Sequence, residues 1–445
     1  MSVARNMRAL VLAGALAASS AALGQSSRLT AQQATLLGEQ IALLRRQQQA
    51  QRAAIDATDA QLADLERRFA ALTGAAASAA VPQGVAADAA VPAVRATAKS
   101  TVSARIDRLE VGGDVRLRYE HNLSAENARD RGRGVIRARV QASYAVNDWL
   151  TAGGQVVTGD PDDPNSADVA LSSFADDLNL SLDQAYLSAS LGRVTLWGGK
   201  FAAPFSRSEL VWDGDVSPQG LAATWHAPLG DGADVRLTGV YFLIDESVAG
   251  PDSSMIGAQA EVAFRPAGGW QAKLSTAYYD YSLRSVAGGD GGDFRSNLIG
   301  PDGRYRSDFD LIDGIVSLDH PGLGEDWPLQ MSGEYVRNLG AATNADTGYA
   351  LALSLGQAAR PHGWKLGYSY MVAETDAVLA AFSHDNIDLG TNYLLHGLSV
   401  DHALTASVTL NATLYHFRID DPLGPGAGLP RDWRDRLRLN MLVRF

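Results

Sequence analysis

The chain has 445 residues, with 50 Asp and Glu against 38 Lys and Arg, a formal net charge of −12 and no cysteine. That balance excludes a disulfide framework and a basic nucleic-acid-binding surface. A pI near 5.1 and a mean hydropathy of −0.09 suit a soluble protein, but they suit a water-filled membrane barrel equally, because only alternate residues of its strands touch lipid.

Residues 1–24 carry Arg5 and Arg8, an apolar run from Ala9 to Ala17 and small residues up to Ala22-Leu23-Gly24. This layout predicts a secretory signal peptide cleaved near Gln25, with a run too short to span a bilayer. In residues 25–72 a period of seven follows, placing Ala34, Ile41, Gln48, Ile55, Leu62 and Phe69 at one heptad position and Leu37, Leu44, Gln51, Thr58, Leu65 and Leu72 at the other. It predicts a coiled coil with polar layers that fix register and oligomer number. The alternative is one amphipathic helix packed on its own domain. Residues 73–104, rich in Ala and Val with Pro82 and Pro92, read as a flexible linker.

From 105 to 445 the period is two. Val115, Leu117 and Tyr119 alternate with Arg116, Arg118 and Glu120, and Ile136, Ala138 and Val140 with Arg137, Arg139 and Gln141. Such runs, one of them spanning 194–205, recur often enough to predict an all-β transmembrane barrel of about 16 antiparallel strands. Short connections such as Asn147-Asp148 and Gly192-Arg193 exchange with long polar ones near 159–179, 206–219, 282–308 and 374–390. A barrel with short turns on one rim and long loops on the other predicts that alternation; a soluble sandwich gives no reason for it. Trp149, Trp270, Trp327, Trp364 and Trp433 fall near strand ends, where aromatic rings favour the membrane interface.

The last strand alternates Leu437, Leu439, Met441, Val443 and Phe445 with Arg436, Arg438, Asn440 and Arg444. In a closed barrel it must pair with the first, so it cannot fray. Its aromatic end resembles the recognition signal of outer-membrane barrels, which implies the barrel assembly machinery as a partner.

The stretch from Gly198 to Ala222 carries Gly199-Lys200-Phe201, Pro204-Phe205, Trp212-Asp213-Gly214-Asp215, Pro218 and Gly220. With the strand from Leu182 to Gly192 before it, this segment resembles the putative porin family of proteobacterial outer membranes. The resemblance implies a trimer embedded among outer-membrane lipid and lipopolysaccharide, and a third long loop that folds inward to narrow the channel. A coiled coil on the short-turn side would lie in the periplasm, holding the trimer or reaching toward peptidoglycan.

If apolar faces point to lipid, Arg116, Arg118, Arg137, Arg139, Arg436, Arg438 and Arg444 line the lumen on adjoining strands as one basic wall in water. Parity also turns Lys200, Arg236, Lys273 and Lys365 inward. Glu209, Asp213 and Asp215 of the third loop would oppose the wall and set a transverse field. The competing reading pairs each arginine with a neighbouring acid, as Arg118 with Glu120.

The acidic stretch Gly159–Asp168 lacks the spacing of an EF-hand and reads as a surface loop. "GGDGGD" at 288–293 occurs once, and His226, His396 and His416 match no metal spacing. No nucleophile elbow or P-loop pattern occurs either, so no catalytic residue, cofactor or metal site is predicted. The reading is an outer-membrane porin passing small hydrophilic solutes, with an anion preference set by the arginines. The alternatives are a structural anchor tethering membrane to wall, and a channel selective for a phosphate-like anion.

Overall fold

The computed structural model describes residues 108–124, 130–161, 163, 166–172, 178–230, 232–248, 250–284, 296–421 and 431–445. The predicted signal peptide, coiled coil and linker lie outside these residues, as does the stretch 288–293.

The described chain is β1 (Leu109–Ser124), β2 (Arg131–Ala145), β3 (Leu150–Thr158), β4 (Val169–Ala170), β5 (Leu180–Leu191), β6 (Val194–Lys200), β7 (Gln219–Pro228), β8 (Ala233–Asp245), β9 (Ser253–Phe264), β10 (Gln271–Ser282), β11 (Phe309–His320), β12 (Leu329–Asn338), β13 (Thr347–Gly356), β14 (Trp364–Ala373), β15 (Tyr393–Ala403), β16 (Val408–Ile419) and β17 (Arg434–Arg444). All but the two-residue β4 build a wall of sixteen antiparallel strands, as the alternation predicts. β4 belongs to the second long loop and pairs with β2 through Val135↔Ala170 and Ile136↔Val169.

Closure is explicit in the register. β1 pairs with β2 on one side and with β17 on the other, from Asp114↔Arg444 to Ser124↔Arg434. The Gly113 amide donates to the Phe445 carbonyl at 2.9 Å, and the Phe445 amide donates back at 3.1 Å. No edge is left in the wall, the condition a sheet must meet inside a bilayer.

Leu117, Leu187, Leu221, Ile256, Leu274, Leu351, Leu398 and Leu439 stand exposed on outward positions. On a soluble protein so long a belt would aggregate; on a barrel it is the lipid face. Trp364 stacks on His402 at 4.1 Å and Trp270 sits 4.6 Å from His320 at the short-turn rim, while Trp433 stacks on His416 at 4.1 Å near the long-loop rim. The core lies inside the ring, where Phe201, Leu210, Trp212, Met255, Tyr279, Phe309, Leu311, Phe382 and Tyr393 cluster.

A Cβ on Gly113 would lie 2.4 Å from the Arg139 carbonyl oxygen and 2.8 Å from the Phe445 ring. Gly113→Val should therefore strain the β1–β2–β17 seam by about 1–3 kcal/mol. The expected outcome is a lower urea midpoint for loss of heat-modifiable migration on a gel.

Candidate functional site: the constriction

The third long loop leaves the wall at Gly199 and re-enters at Gly220, which are cross-strand partners. Both have positive φ, 115° and 144°. A Cβ would lie 2.3 Å from the Ala185 carbonyl oxygen at the first and 2.3 Å from that of Tyr241 at the second. Only glycine fits such a backbone approach. The first kink ends β6 at Lys200, five residues before the alternation predicts, because Phe201 turns into the core at 1 % exposure. Lys200 still faces the lumen, 3.7 Å from Asp183.

Between the two glycines, Trp212 is packed by Phe205, Phe242, Tyr279, Tyr281 and Phe382, with ring centroids 5.5 to 6.4 Å away. Ser206 donates to Glu261 and Ser208 to Glu334, fastening the loop to β9 and β12. Arg207 closes it on itself, donating to the carbonyls of Asp213 and Gly214 at 2.8 and 2.9 Å. The inward fold implied by the family resemblance is thus the fold observed.

The arginines are brought together on the inner face, but they are not a bare wall in water. Arg116 faces Arg137 directly across β1–β2, and like charges so placed repel. Acids relieve them. Asp114 accepts from Arg137 at 3.0 Å and from Arg139 at 2.8 Å. Asp168, from the second loop, pairs with Arg116 and with Arg118, the latter at 2.5 Å. Glu120, 1 % exposed, sits among Arg133 at 2.7 Å, Arg438 at 2.7 Å and Arg436 at 3.8 Å. Arg118 therefore pairs with Asp168 and not with Glu120. Arg444 keeps the inward parity but stands exposed beyond the cluster. Arg236 and Lys273 share Glu261 at 3.8 and 3.6 Å.

The loop acids divide. Asp215 touches the wall it was expected to oppose, 3.0 Å from Arg139 and 3.9 Å from Arg137. Asp213, 5 % exposed, points into the loop's own packing and not into the channel. Glu209 keeps an exposed face and accepts from the Asn386 amide at 3.3 Å.

Residues 123–290 match a family model described as putative porin. That stretch runs from the end of β1 past β10 and is similar to the putative porin family. Comparison with curated proteins finds no match. Among solved structures, OprB of Pseudomonas putida at high pH aligns over 79% of this chain and 97% of its own, at 12% identity and a TM-score of 0.53, which shows the fold. OmpF of Salmonella typhi aligns over 76% and 97% at 13% identity and TM-score 0.47. An anion-selective porin from Comamonas acidovorans aligns over 76% and 99% at 14% identity and TM-score 0.46.

The constriction has a second wall that the sequence reading left among the polar loops. Residues 374–392 also enter the lumen, burying Ala377, Val378, Leu379, Phe382, Ile387 and Leu389. Phe382 stacks on Trp212 at an interplanar angle of 11°. The Asp213 amide donates to the Phe382 carbonyl at 2.7 Å, and Ser383 Oγ donates to the Leu210 carbonyl at 2.9 Å. The base of this loop is stitched to residues 297–307: Ser307 donates to Asp376 at 2.6 Å, and Asn297 donates to the carbonyls of Thr375 and Val378 at 2.9 Å each. An apolar run, Ala377–Phe382, inside a loop was the signal for burial. Among the described residues no group of His, Asp and Glu is arranged to hold a metal ion.

Asp168 titrates below the ordinary carboxylate range: burial pushes it up, and Arg118 and Arg116 outweigh that. Asp213 is pushed up to about 8 by burial and by Glu209 and Asp385 beside it. Burial by the surrounding barrel, with Asp385 and Asp215, also raises Glu209. Because the docked loop holds the Asp213 proton more tightly than an undocked chain does, docking is strongest below pH 3.8 and weakens as pH rises from there to about 8. The protection factor for hydrogen exchange at residues 209–216, corrected for the intrinsic pH dependence of exchange, should therefore fall between pH 5 and pH 8, roughly the upper part of that titration window, and Asp213→Asn should flatten the dependence. Trp212→Ala should undock the loop at a cost of about 3–5 kcal/mol, seen as noisier single-channel current with the barrel still heat-modifiable.

Proposed function

We propose that this outer-membrane channel is a passive pore for small hydrophilic solutes, with its selectivity set where the tip of the third loop meets the arginines. The observation that carries this is the pairing of Asp215 with Arg139 and Arg137, which brings an acid of the inserted loop onto the arginines of the inner face. Polar cavities lie beside the inserted loop: one of about 590 Å³ lined by Lys273, Ser317, Gln330, Lys365, Ser399 and Asn411, and one of about 700 Å³ lined by Thr195, Arg207, Thr224, Arg236 and Ser317. Since each central arginine has an acidic neighbour, net selectivity reflects a balance and not a bare positive wall. Anion preference is part of this proposal, and so is a homotrimer in lipid and lipopolysaccharide, assembled by the barrel machinery, with a coiled coil that reaches into the periplasm.

The rival reading, a barrel that serves only as an anchor, draws on one specific observation. Inward positions near the long loops carry Phe242, Met255, Tyr279, Phe309 and Leu311, a packed core of the kind a closed plug needs. Single-channel recording under a KCl gradient separates the two. A pore gives conductance steps, arriving in threes for a trimer. Arg137→Glu/Arg139→Glu should move the reversal potential toward cations, and Asp215→Asn should move it toward anions. Correctly folded protein without conductance overturns the pore and leaves the anchor.

A further inference from the structure

The tip of the second inserted loop lies against three arginines of β17. Arg434, Arg436 and Arg438 stand on one face of β17, roughly 7 Å apart along the strand, and all three are buried, at 6, 2 and 4 % exposure. On the wall side, Glu120 answers Arg436 and Arg438. On the lumen side, the loop supplies a row of oxygens: the Asp388 carboxylate pairs with Arg436 and lies 3.9 Å from Arg434, the Asn386 carbonyl accepts from Arg436 at 2.9 Å, and the Asn386 side-chain oxygen accepts from Arg438 at 2.8 Å.

The two ends of this loop are held differently. Its base is fixed by the buried Asp376, Asn297 and Asn338 network and by apolar packing. At its tip Asp388 is 54 % exposed on its side chain, so one face of its ion pair is open to the lumen. An exposed carboxylate on a buried guanidinium contributes little to holding a loop, because water and salt screen it. The buried arginines, by contrast, cannot be left bare without a large desolvation penalty. An occupant of this position must therefore be anionic, and it must be exchangeable.

We propose that Arg434, Arg436 and Arg438 form a binding site for small organic carboxylates, and that Asp388 occupies it as an internal stand-in which an entering solute displaces. The proposal rests on the pore reading for its access route. A carboxylate arriving from the lumen takes the place of the Asp388 carboxylate on Arg434 and Arg436, while Glu120 keeps the inner halves of Arg436 and Arg438 neutralised. The tip then moves off the wall, and the hydrophobic base of the loop stays docked on Trp212.

The test uses full-length, detergent-folded protein with succinate as the probe. Calorimetric titration should show succinate binding several-fold tighter in Asp388→Asn than in wild type, because the competitor has lost its charge. Adding Arg436→Gln to Asp388→Asn should abolish that gain, with heat-modifiable migration showing that both variants fold. The Asp388→Asn pore should carry succinate-dependent current block at lower concentration than wild type. Equal binding in wild type, Asp388→Asn and the double variant overturns the site, whatever the conductance. Tighter binding to Asp388→Asn in protein that conducts nothing keeps the site and sinks the pore.

Discussion

Every backbone group that crosses a bilayer must find its hydrogen-bond partner in the protein, and here the last row of partners is supplied where β17 meets β1. That seam decides more than closure. It sets Glu120 opposite Arg133 on one side and Arg438 on the other, and Asp114 opposite Arg139. Residues more than three hundred positions apart thus form a charge network whose geometry is fixed by the ladder. Its one unfavourable pairing, Arg116 against Arg137, is relieved by Asp114 on β1 itself, by Asp168 on the second long loop and by Asp215 on the third. These ion pairs add to the contacts that hold the loops on the strands they cover.

The inside of the barrel is divided in kind. Toward the long loops, β8 to β16 turn large apolar residues inward, and the inserted loops cover them with Trp212, Leu210, Phe382 and Ile387. Toward the short turns, the same strands present Lys273, Ser317, Gln330, Ser354, Lys365, Ser399 and Asn411 to the cavity. Hydrophobic burial holds the loops in place, and the polar half is left for solutes. A gate in such a channel has only its charged tips to move, because undocking the apolar base would expose large rings to the lumen.

Much of this was legible in the sequence. The period of two gave the strand count, and the exchange of short and long connections gave the two rims. The stretch from Gly198 to Ala222 marked the inserted loop, and its glycines turn out to be the points where the chain leaves and rejoins the wall. What escaped was long-range. Parity shows that Arg116 and Arg137 face inward; it cannot show that an aspartate fifty residues away in a loop will reach them. The second inserted loop escaped because its polar ends outweighed the apolar run at its centre. The expected opposition of acid and base failed for Asp213 because a turn inside the loop aims it at the packing behind it.

Pairing of the arginines changes what selectivity means in this channel. A row of free guanidinium groups would attract anions in proportion to its number. A row already matched by Asp114, Glu120, Asp168, Asp215 and Asp388 draws solutes only where an acid can be exchanged. Of these, Glu120 is sealed in the wall at 1 % side-chain exposure, and Asp114 and Asp168 are largely enclosed at 13 and 14 %. Asp215 and Asp388, at 22 and 54 %, are the two carried on inserted loops. The barrel wall therefore fixes how much positive charge faces the lumen, and the two loop tips decide how much of it a passing solute meets.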